Sequence, residues 1–144
     1  MRVWRISNFA DLTGNGGLHG EGRWHAKGVP IIYCADHPST SLLEILVHAN
    51  RQTVPDFYQL IEMDVPDTVG HFIPDIFEGW RIDQPRTRRI GMSFIEDGRF
   101  AMMKVPSVVM PRALNFIVNP LHRDAASITI VGVERYPFDS RLFA

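Results

Sequence analysis

The sequence predicts a mixed α/β domain in which a bent or split sheet is flanked by helices. Several short runs alternate in polarity or are apolar on both faces, as strands are, and two or three other runs have helical periodicity. The 144 residues are enough for one domain with a sizeable core. No linker or internal repeat divides the chain, so we expect a single domain over residues 1–144.

Three strands and a loop are expected in the N-terminal half. Met1–Ile6 alternates well enough for a short strand, and Phe57–Val65 alternates over its whole length. Val29–Ala35 is apolar on both faces, which indicates a buried strand. Asn8–Gly22 contains five glycines, so we expect a long, bending loop there.

A helix should follow the buried strand. Pro38 fits its first turn, and three polar residues are candidate caps: Asp36, Ser39 and Ser41. Six residues form one broad apolar face: Leu42, Leu43, Ile45, Leu46, Val47 and Ala49. At about 100° per residue, Glu44 falls opposite this face. It shares the polar side with three residues: Thr40, His48 and Arg51.

The C-terminal half is expected to contain a helix and three strands. Gly70–Trp80 is irregular, with room for a short helical turn, and Leu121–Ala125 is a turn. Arg86–Asp97 has the pattern of a helix, which Gly91 weakens. The expected strands are Arg99–Val105, Asn115–Val118 and the β-branched Ser127–Tyr136.

Composition narrows the range of partners and compartments. A net charge of −1 gives no reason to expect a nucleic-acid backbone as partner. Only Lys27 and Lys104 among the fifteen basic residues are lysines; this bias towards arginine fits anion recognition, a polar interface or a GC-rich genome.

Cys34 is the single cysteine, which excludes an internal disulfide and fits a reducing cytoplasm. Neither a signal core nor a membrane span is visible, so we expect a cytoplasmic protein.

Two candidate site residues precede the helix. Arg23 lies in a glycine-rich loop, where the backbone can approach a ligand closely and a guanidinium can hold a phosphate or a ribose hydroxyl. The competing interpretation is a surface arginine packed on Trp24. Tyr33 lies near the end of a buried strand, where a phenol ring can stack on a flat aromatic ring such as nicotinamide. The alternative is a core tyrosine bonded to a nearby backbone group.

Three further candidates come later in the chain. Glu44 either stabilises positive charge on a ribose carbon during bond cleavage, or closes a capping box with Ser41, or pairs with His48 in solvent. Ser107 has a hydroxyl suited to a ribose, a phosphate or a carboxylate, but a serine in a turn is usually without function. Asn115 begins a short expected strand.

Other chemistries find little support. The six histidines show neither H-x-x-H nor H-E-x-x-H spacing, and one cysteine cannot form a thiolate zinc site, so no metal is expected. The chain has no G-x-S-x-G elbow and no P-loop, and its early glycines do not match a dinucleotide-binding fingerprint. Three clustered arginines are expected to form a solvated or partner-facing patch: Arg86, Arg88 and Arg89.

Three segments in order resemble the RES-domain family of bacterial toxins, named for its arginine, glutamate and serine. They are VWRI, GRWHAKGVPIIYCADHPSTSLLEILVH and KVPSVVMPRALNFIVNPLH, and the resemblance covers nearly the whole chain. It implies that Arg23, Glu44 and Ser107 are the family residues, with Tyr33 as the accompanying tyrosine. Thr87–Phe94 departs from the family pattern, because it lacks the Asp and the Trp that often follow the Thr-Arg pair. This departure argues against a role for this helix in the site, but not against the four residues named above.

The resemblance also implies a fold similar to ADP-ribosyltransferases and NAD+ as substrate. Arg23, Tyr33, Ser107 and Asn115 are the expected NAD+-binding residues. The first function hypothesis is a toxin that cleaves the nicotinamide–ribose bond by hydrolysis or phosphorolysis, blocking growth unless an Xre-like antitoxin holds it. The alternatives are an ADP-ribosyltransferase that modifies a cellular protein and a non-catalytic partner-binding module. A homo-oligomer is possible, whereas direct nucleic-acid binding and membrane association are not expected.

Overall fold

A computed structural model describes residues 1–49 and 52–143 of the chain. Its strands and α-helices are, in order, β1 (Arg2–Ile6), α1 (Gly16–His19), β2 (Ile32–Ala35), α2 (Pro38–Leu46), β3 (Phe57–Asp64), β4 (His71–Phe72), α3 (Gln84–Asp97), β5 (Met102–Pro106), β6 (Leu114–Val118) and β7 (Thr129–Pro137). Two 3₁₀ helices are also formed, Arg123–Ser127 and Ser140–Phe143. No helix within the described ranges combines the length and the apolar character that crossing a membrane requires.

The strands pair into one sheet in the order β4-β5-β6-β2-β1-β3-β7. Every neighbouring pair is antiparallel except β4 and β5, which are parallel. The short strand β2 lies in the middle of this order, between β6 and β1, and α2 follows it directly. The mixed α/β class expected from the sequence is therefore confirmed. The chain passes from β2 into α2 at the centre of the sheet.

Each face of the sheet has its own apolar core. One core includes Val3, Cys34, Ile61, Met63 and Phe116, which are all buried. The opposite core joins buried residues of the strands, the glycine-rich loop and α3: Trp24, Ile31, Phe94, Met103, Val105 and Ile117. Because side chains alternate along a strand, residues one position apart on β2 and β6 enter different cores. The second core is the one beside the expected site.

Three segments differ from the sequence prediction. The expected loop Asn8–Gly22 contains the short helix α1, and the irregular segment after Gly70 contains β4, which pairs with Met102 and Met103. The buried strand begins at Ile32 rather than at residue 29. Pro30 has no backbone N–H, and the N–H of Ile31 bonds the carbonyl of Gly14 instead of a neighbouring strand.

Helix α2 turns its polar side towards the protein. Thr40 and Ser41 are its buried residues, whereas Leu43 and Val47 are exposed. His37 forms the N-cap, because its side chain accepts a hydrogen bond from the N–H of Ser39. Ser39 lies inside the helix, and the two other predicted caps have other partners: Asp36 accepts from Thr40, and the Ser41 hydroxyl donates to the carbonyl of Trp4.

Neither of the two plain interpretations of Glu44, a capping box with Ser41 or a pair with His48, is found in the structure. His48 is exposed, and the hydrogen bonds of Glu44 go to other elements, as described below. Arg51, which was expected to share the polar face, lies outside the described residues. The remaining elements lie where the sequence predicted them, with ends shifted by a few residues.

Candidate functional site

Glu44, Ser107 and Asn115 meet at the end of the sheet. The Ser107 hydroxyl donates to Oε1 of Glu44 at 2.6 Å, and the Asn115 side-chain amide donates to the same oxygen at 2.8 Å. Ser107 is 1% exposed, and Glu44 and Asn115 are half-buried. Three segments that are far apart in the sequence thus hold one carboxylate in a fixed orientation.

The two donors hold only one oxygen of the carboxylate. Among the described residues, Oε2 of Glu44 has no hydrogen-bond partner. Glu44 is only half-buried, which leaves this second oxygen as the one available to a ligand. An oriented carboxylate with one accessible oxygen can accept a ligand hydroxyl and stabilise a nearby positive charge.

The sheet register places Tyr33 and Asn115 on the same face. Tyr33 lies opposite Ile117, and Ala35 lies opposite Asn115. Residues directly opposite in an antiparallel pair point to the same side, so Tyr33 and Asn115 are diagonal neighbours, a relation that in general spans about 7–8 Å. The same face packs against Trp24 of the glycine-rich loop.

Arg23 is half-buried beside Trp80. Its Nη1 donates to the carbonyl of Trp80 at 3.1 Å, and its guanidinium carbon lies 5.8 Å from the centre of the Trp80 ring. Burial lowers the pKa of Arg23, and the negative charge of Glu44 opposes this shift. Arg23 and Glu44 are therefore close enough for their charges to interact, although they share no direct contact.

Tyr33 is fixed by His25, a residue that the sequence analysis did not single out. The Trp24 N–H donates to the Tyr33 hydroxyl at 3.2 Å, and Nδ1 of His25 lies 2.6 Å from the same oxygen. Nε2 of His25 lies 2.8 Å from the carbonyl of Gly20. That carbonyl only accepts, so in the neutral ring Nε2 donates to it and Nδ1 accepts the proton of Tyr33.

Burial sets the protonation states of this pair. It lowers the pKa of His25, and this shift is partly opposed by the bond to Gly20. Burial also raises the pKa of Tyr33 well above its usual range. A neutral imidazole and a protonated phenol make Tyr33 unsuitable as a general base, so its ring is the part available to a ligand.

Gly22 allows this arrangement. A Cβ at Gly22 would lie 2.7 Å from the Tyr33 hydroxyl and 2.8 Å from Nδ1 of His25, closer than real Cβ atoms come. Any side chain at this position would displace the phenol or the imidazole. The glycine before Arg23 is thus needed for close approach, as the sequence analysis proposed for this loop.

Helix α3 supports the loop that carries Arg23. The buried hydroxyl of Thr87 donates to the carbonyl of Arg23 at 3.0 Å, and Nε of Arg88 donates to the carbonyl of Gly22 at 3.1 Å. Gly91 lies so close to Trp24 that an added Cβ would be 1.7 Å from its carbonyl oxygen. This support was not expected, because the departure of the helix from the family pattern argued against a role in the site.

Residues 79–83 connect the loop that carries Arg23 with the turn that carries Ser107. No feature of the sequence predicted this connection. Trp80 stacks on Trp24 with ring centres 6.3 Å apart, besides accepting the bond from Arg23. The neighbouring Arg81 donates from Nη2 to the carbonyl of Val108 at 2.8 Å. Since Val108 follows Ser107, this segment connects the Arg23 loop with the turn that holds Glu44.

Two cavities lie elsewhere in the molecule. One of about 510 Å³ is lined by Arg99, Asn119, His122 and their neighbours, and one of about 240 Å³ is lined by apolar residues around Cys34. Neither includes Arg23, Tyr33, Glu44, Ser107 or Asn115. Hydrogen bonds and register, rather than cavity size, identify the candidate site. Within residues 1–49 and 52–143 no three histidine, cysteine or acidic side chains are grouped to hold a metal ion.

All five sequence-predicted residues thus belong to one region. Glu44, Ser107 and Asn115 are in direct contact, Tyr33 shares the sheet face of Asn115, and Arg23 interacts electrostatically with Glu44. Three further residues emerge only from the structure: His25, Trp80 and Arg81. Of these, His25 lies two positions after Arg23, so the sequence could have suggested it.

The chain is similar to known proteins over nearly its whole length. The RES domain model matches residues 2–139. "Toxin Res" of Pseudomonas putida is 40% identical over 99% of this chain and 100% of its own length. "Prs ADP-ribosylating toxin" of a Sphingobium species is 33% identical over 96% of this chain and 94% of its own length.

The fold also has a solved counterpart. A chain in the crystal structure of the M. tuberculosis MbcT-MbcA toxin–antitoxin complex superposes with a TM-score of 0.76. It is 16% identical to this chain, and the match covers 94% of this chain and 84% of the other. The family model and the two toxin relatives span nearly the whole sequence, so the chain belongs to the RES domain family.

Proposed function

We propose that this RES-domain protein is a toxin that breaks the bond between nicotinamide and ribose in NAD+. The observation that carries the proposal is the oriented carboxylate of Glu44. Ser107 and Asn115 hold its Oε1, while Oε2 is accessible to a ribose hydroxyl. A negative charge fixed in this way stabilises the positive charge that grows on the ribose carbon as nicotinamide leaves.

The other residues take complementary roles. Arg23 binds the pyrophosphate or the ribose next to nicotinamide, and Tyr33 packs against the nicotinamide ring. Nicotinamide leaves as a neutral molecule, so the site needs no strong general acid. This agrees with a Tyr33 hydroxyl that is already bonded to Trp24 and His25. NAD+ is the substrate, and no metal takes part in this mechanism.

The test is NAD+ consumption by purified protein. Glu44→Gln keeps an oxygen for Ser107 and Asn115 but removes the charge, so we expect turnover to fall about 10²–10³-fold. Glu96→Gln is the matched control, since Glu96 is exposed on α3 and should be neutral. Nicotinamide release by Glu44→Gln at the parent rate would disprove the assigned role of Glu44.

Transfer of ADP-ribose to a protein is the second candidate reaction. The Sphingobium relative is named as an ADP-ribosylating toxin, which favours it. Labelled NAD+ separates the reactions: label on a protein indicates transfer, and free ADP-ribose or its phosphorylated form indicates hydrolysis or phosphorolysis. The third alternative, a non-catalytic binding module, requires that the protein neither bind nor consume NAD+.

We further propose that an Xre-like antitoxin holds this toxin inactive in the cytoplasm. The structural counterpart of this fold comes from a toxin–antitoxin complex, which supports a protein partner. Expression of the chain alone should lower cellular NAD+ within minutes and stop growth, whereas Glu44→Gln should do neither. Growth arrest by Glu44→Gln equal to that of the parent would contradict toxicity through NAD+ loss.

A further inference from the structure

We propose that Arg81 forms an anion clamp with Arg23, and that the two guanidinium groups together hold the pyrophosphate of the dinucleotide. The inference rests on the proposed function, because it assigns a second phosphate-binding residue to the same NAD+ site. Arg81 is exposed and lies outside the three segments that resemble the RES-domain family. It would set the specificity of the site for a substrate with two phosphates.

The backbone of Trp80 and Arg81 brings the two arginines together. Arg23 donates to the carbonyl of Trp80, and Arg81 is the next residue in the chain. The guanidinium of Arg81 is directed towards the Ser107 turn, where it bonds the carbonyl of Val108. The clamp is therefore anchored on one side to the glycine-rich loop and on the other to the turn that orients Glu44.

Neither arginine of the pair forms a direct ion pair in the described part of the chain. Among the described residues, neither Arg23 nor Arg81 has a carboxylate oxygen within 4.0 Å, whereas Arg2, Arg88 and Arg99 each do. Burial is the main cause that lowers the pKa of Arg23, the charge of Glu44 opposes this shift, and the positive charge of Arg81 adds to it, as expected for like charges held near each other. An anion that contacts both would remove this repulsion.

A pyrophosphate fits this arrangement chemically. It has two adjacent anionic groups, and each planar guanidinium can donate two hydrogen bonds to phosphate oxygens. The stacked rings of Trp24 and Trp80 restrict the backbone that positions both arginines. Glu44 repels phosphate, so the phosphates would bind at the arginines while the ribose binds at the carboxylate.

The experiment compares a charged probe with a neutral one by calorimetric titration of the parent and Arg81→Ala. The probes are inorganic pyrophosphate, ADP-ribose and nicotinamide. We expect Arg81→Ala to weaken pyrophosphate and ADP-ribose binding about tenfold, as for loss of one charge-assisted hydrogen bond, and to leave nicotinamide binding unchanged. Arg81→Lys should be intermediate, since it keeps the charge without the fork. Arg89→Ala, which removes an exposed arginine from α3, is the matched control.

Two results would overturn the clamp while leaving the proposed function in place. One is pyrophosphate binding by Arg81→Ala equal to that of the parent, with Arg23→Ala still impaired. The other is an equal loss of pyrophosphate and nicotinamide binding, which would mean that Arg81 only supports the Ser107 turn through Val108. A parent that binds none of the three probes and releases no nicotinamide from NAD+ would instead refute the proposed function itself.

Discussion

At the scale of single residues, Glu44 depends on the donors that hold one of its oxygens. The buried Ser107 hydroxyl accepts a hydrogen bond from the Met110 N–H while it donates to Glu44, so its proton direction is fixed by the turn. Asn115 adds the second donor from β6. The carboxylate is thus oriented before any ligand arrives, and orientation in advance is what electrostatic stabilisation of a transition state requires.

Ser107→Ala should therefore impair the chemical step more than binding. Loss of one hydrogen bond to a charged group costs roughly 1.5–3 kcal/mol, so we expect kcat for NAD+ cleavage to fall about tenfold or more with little change in KM. Ser127→Ala is the control, because Ser127 is exposed and its hydroxyl donates to the carbonyl of Asp124. A rise in KM at constant kcat would indicate that Ser107 binds substrate instead of orienting Glu44.

His25 gives the fold a dependence on pH. Burial lowers the pKa of His25 below its ordinary value of 6.5, so the unfolded chain binds a proton more readily than the folded one. The stabilising contribution is fully present above pH 6.5 and is lost as the pH falls through the folded pKa. The groups facing the ring are Tyr33, the Gly20 carbonyl, Arg88 and Glu21, of which Arg88 favours and Glu21 opposes the neutral form.

His25→Phe should remove this dependence and lower stability. The Gly20 carbonyl and the Tyr33 hydroxyl would each lose a partner, and an unsatisfied buried polar group costs about 1–3 kcal/mol. Thermal unfolding of the parent and the variant between pH 5 and pH 8 measures both effects. His71→Phe changes an exposed histidine and should retain the slope of the parent. An unchanged slope in His25→Phe would show that another group titrates.

At the scale of elements, α2 shows where sequence reasoning reached its limit. The pattern predicted that Thr40 and Glu44 share one side of the helix, and both do turn inwards, since Thr40 is buried and Glu44 is half-buried. Amphipathic patterning cannot say which side faces the protein when the neighbours offer polar partners. Ser107 and Asn115 are such partners, and both are more than sixty positions away along the chain.

The longer strands and α3 were predictable because their local sequence patterns agree with their positions in the fold. Phe57–Asp64 and Thr129–Pro137 alternate or are rich in β-branched residues, so local preference and tertiary position agree. The two-residue strand β4 has too little sequence to carry a pattern, and its pairing with β5 depends on the whole sheet. The contribution of Trp80 and Arg81 escaped prediction because it consists of bonds to backbone carbonyls, which leave no residue signature.

Gly91→Ala tests whether α3 holds the Arg23 loop. In an ordinary helix interior this change is worth up to about 1 kcal/mol of added stability. Here the new Cβ would collide with the Trp24 carbonyl, so we expect a loss of roughly 1–3 kcal/mol together with reduced NAD+ turnover. Ser93→Ala, an exposed change in the same helix, should alter neither. Urea unfolding measures the stability, and the NAD+ assay measures the turnover. A Gly91→Ala variant more stable than the parent would refute this packing.

At the scale of the whole molecule, the central strand β2 links both cores. Cys34 is buried in one core, and Tyr33 borders the other. Burial raises the pKa of the Cys34 thiol to about 12, so the reactive thiolate is scarce at neutral pH. Leu12 and Ile128 cover this thiol on one face of the sheet, so it should become accessible only when the core on that face opens.

Thiol labelling should therefore report global unfolding. We expect Cys34 in the native protein to react with an aromatic disulfide reagent orders of magnitude more slowly than in urea. Its rate should follow the unfolding free energy across the variants above. Ser93→Cys supplies an exposed thiol in the same molecule and should react at once. Rapid labelling of Cys34 in a fully folded sample would mean that the core over Cys34 opens locally.

The pairing of β2 with β6 also restricts where residues can be inserted or deleted in related chains. Tyr33 and Asn115 reach the same side only because Ala35 is matched with Asn115 across two adjacent strands. One extra residue inside either strand would send every later side chain to the opposite face and separate the aromatic ring from the amide. Insertions and deletions among descendants of this gene should therefore accumulate in connecting segments, while the two strands keep their spacing even where their apolar residues are exchanged.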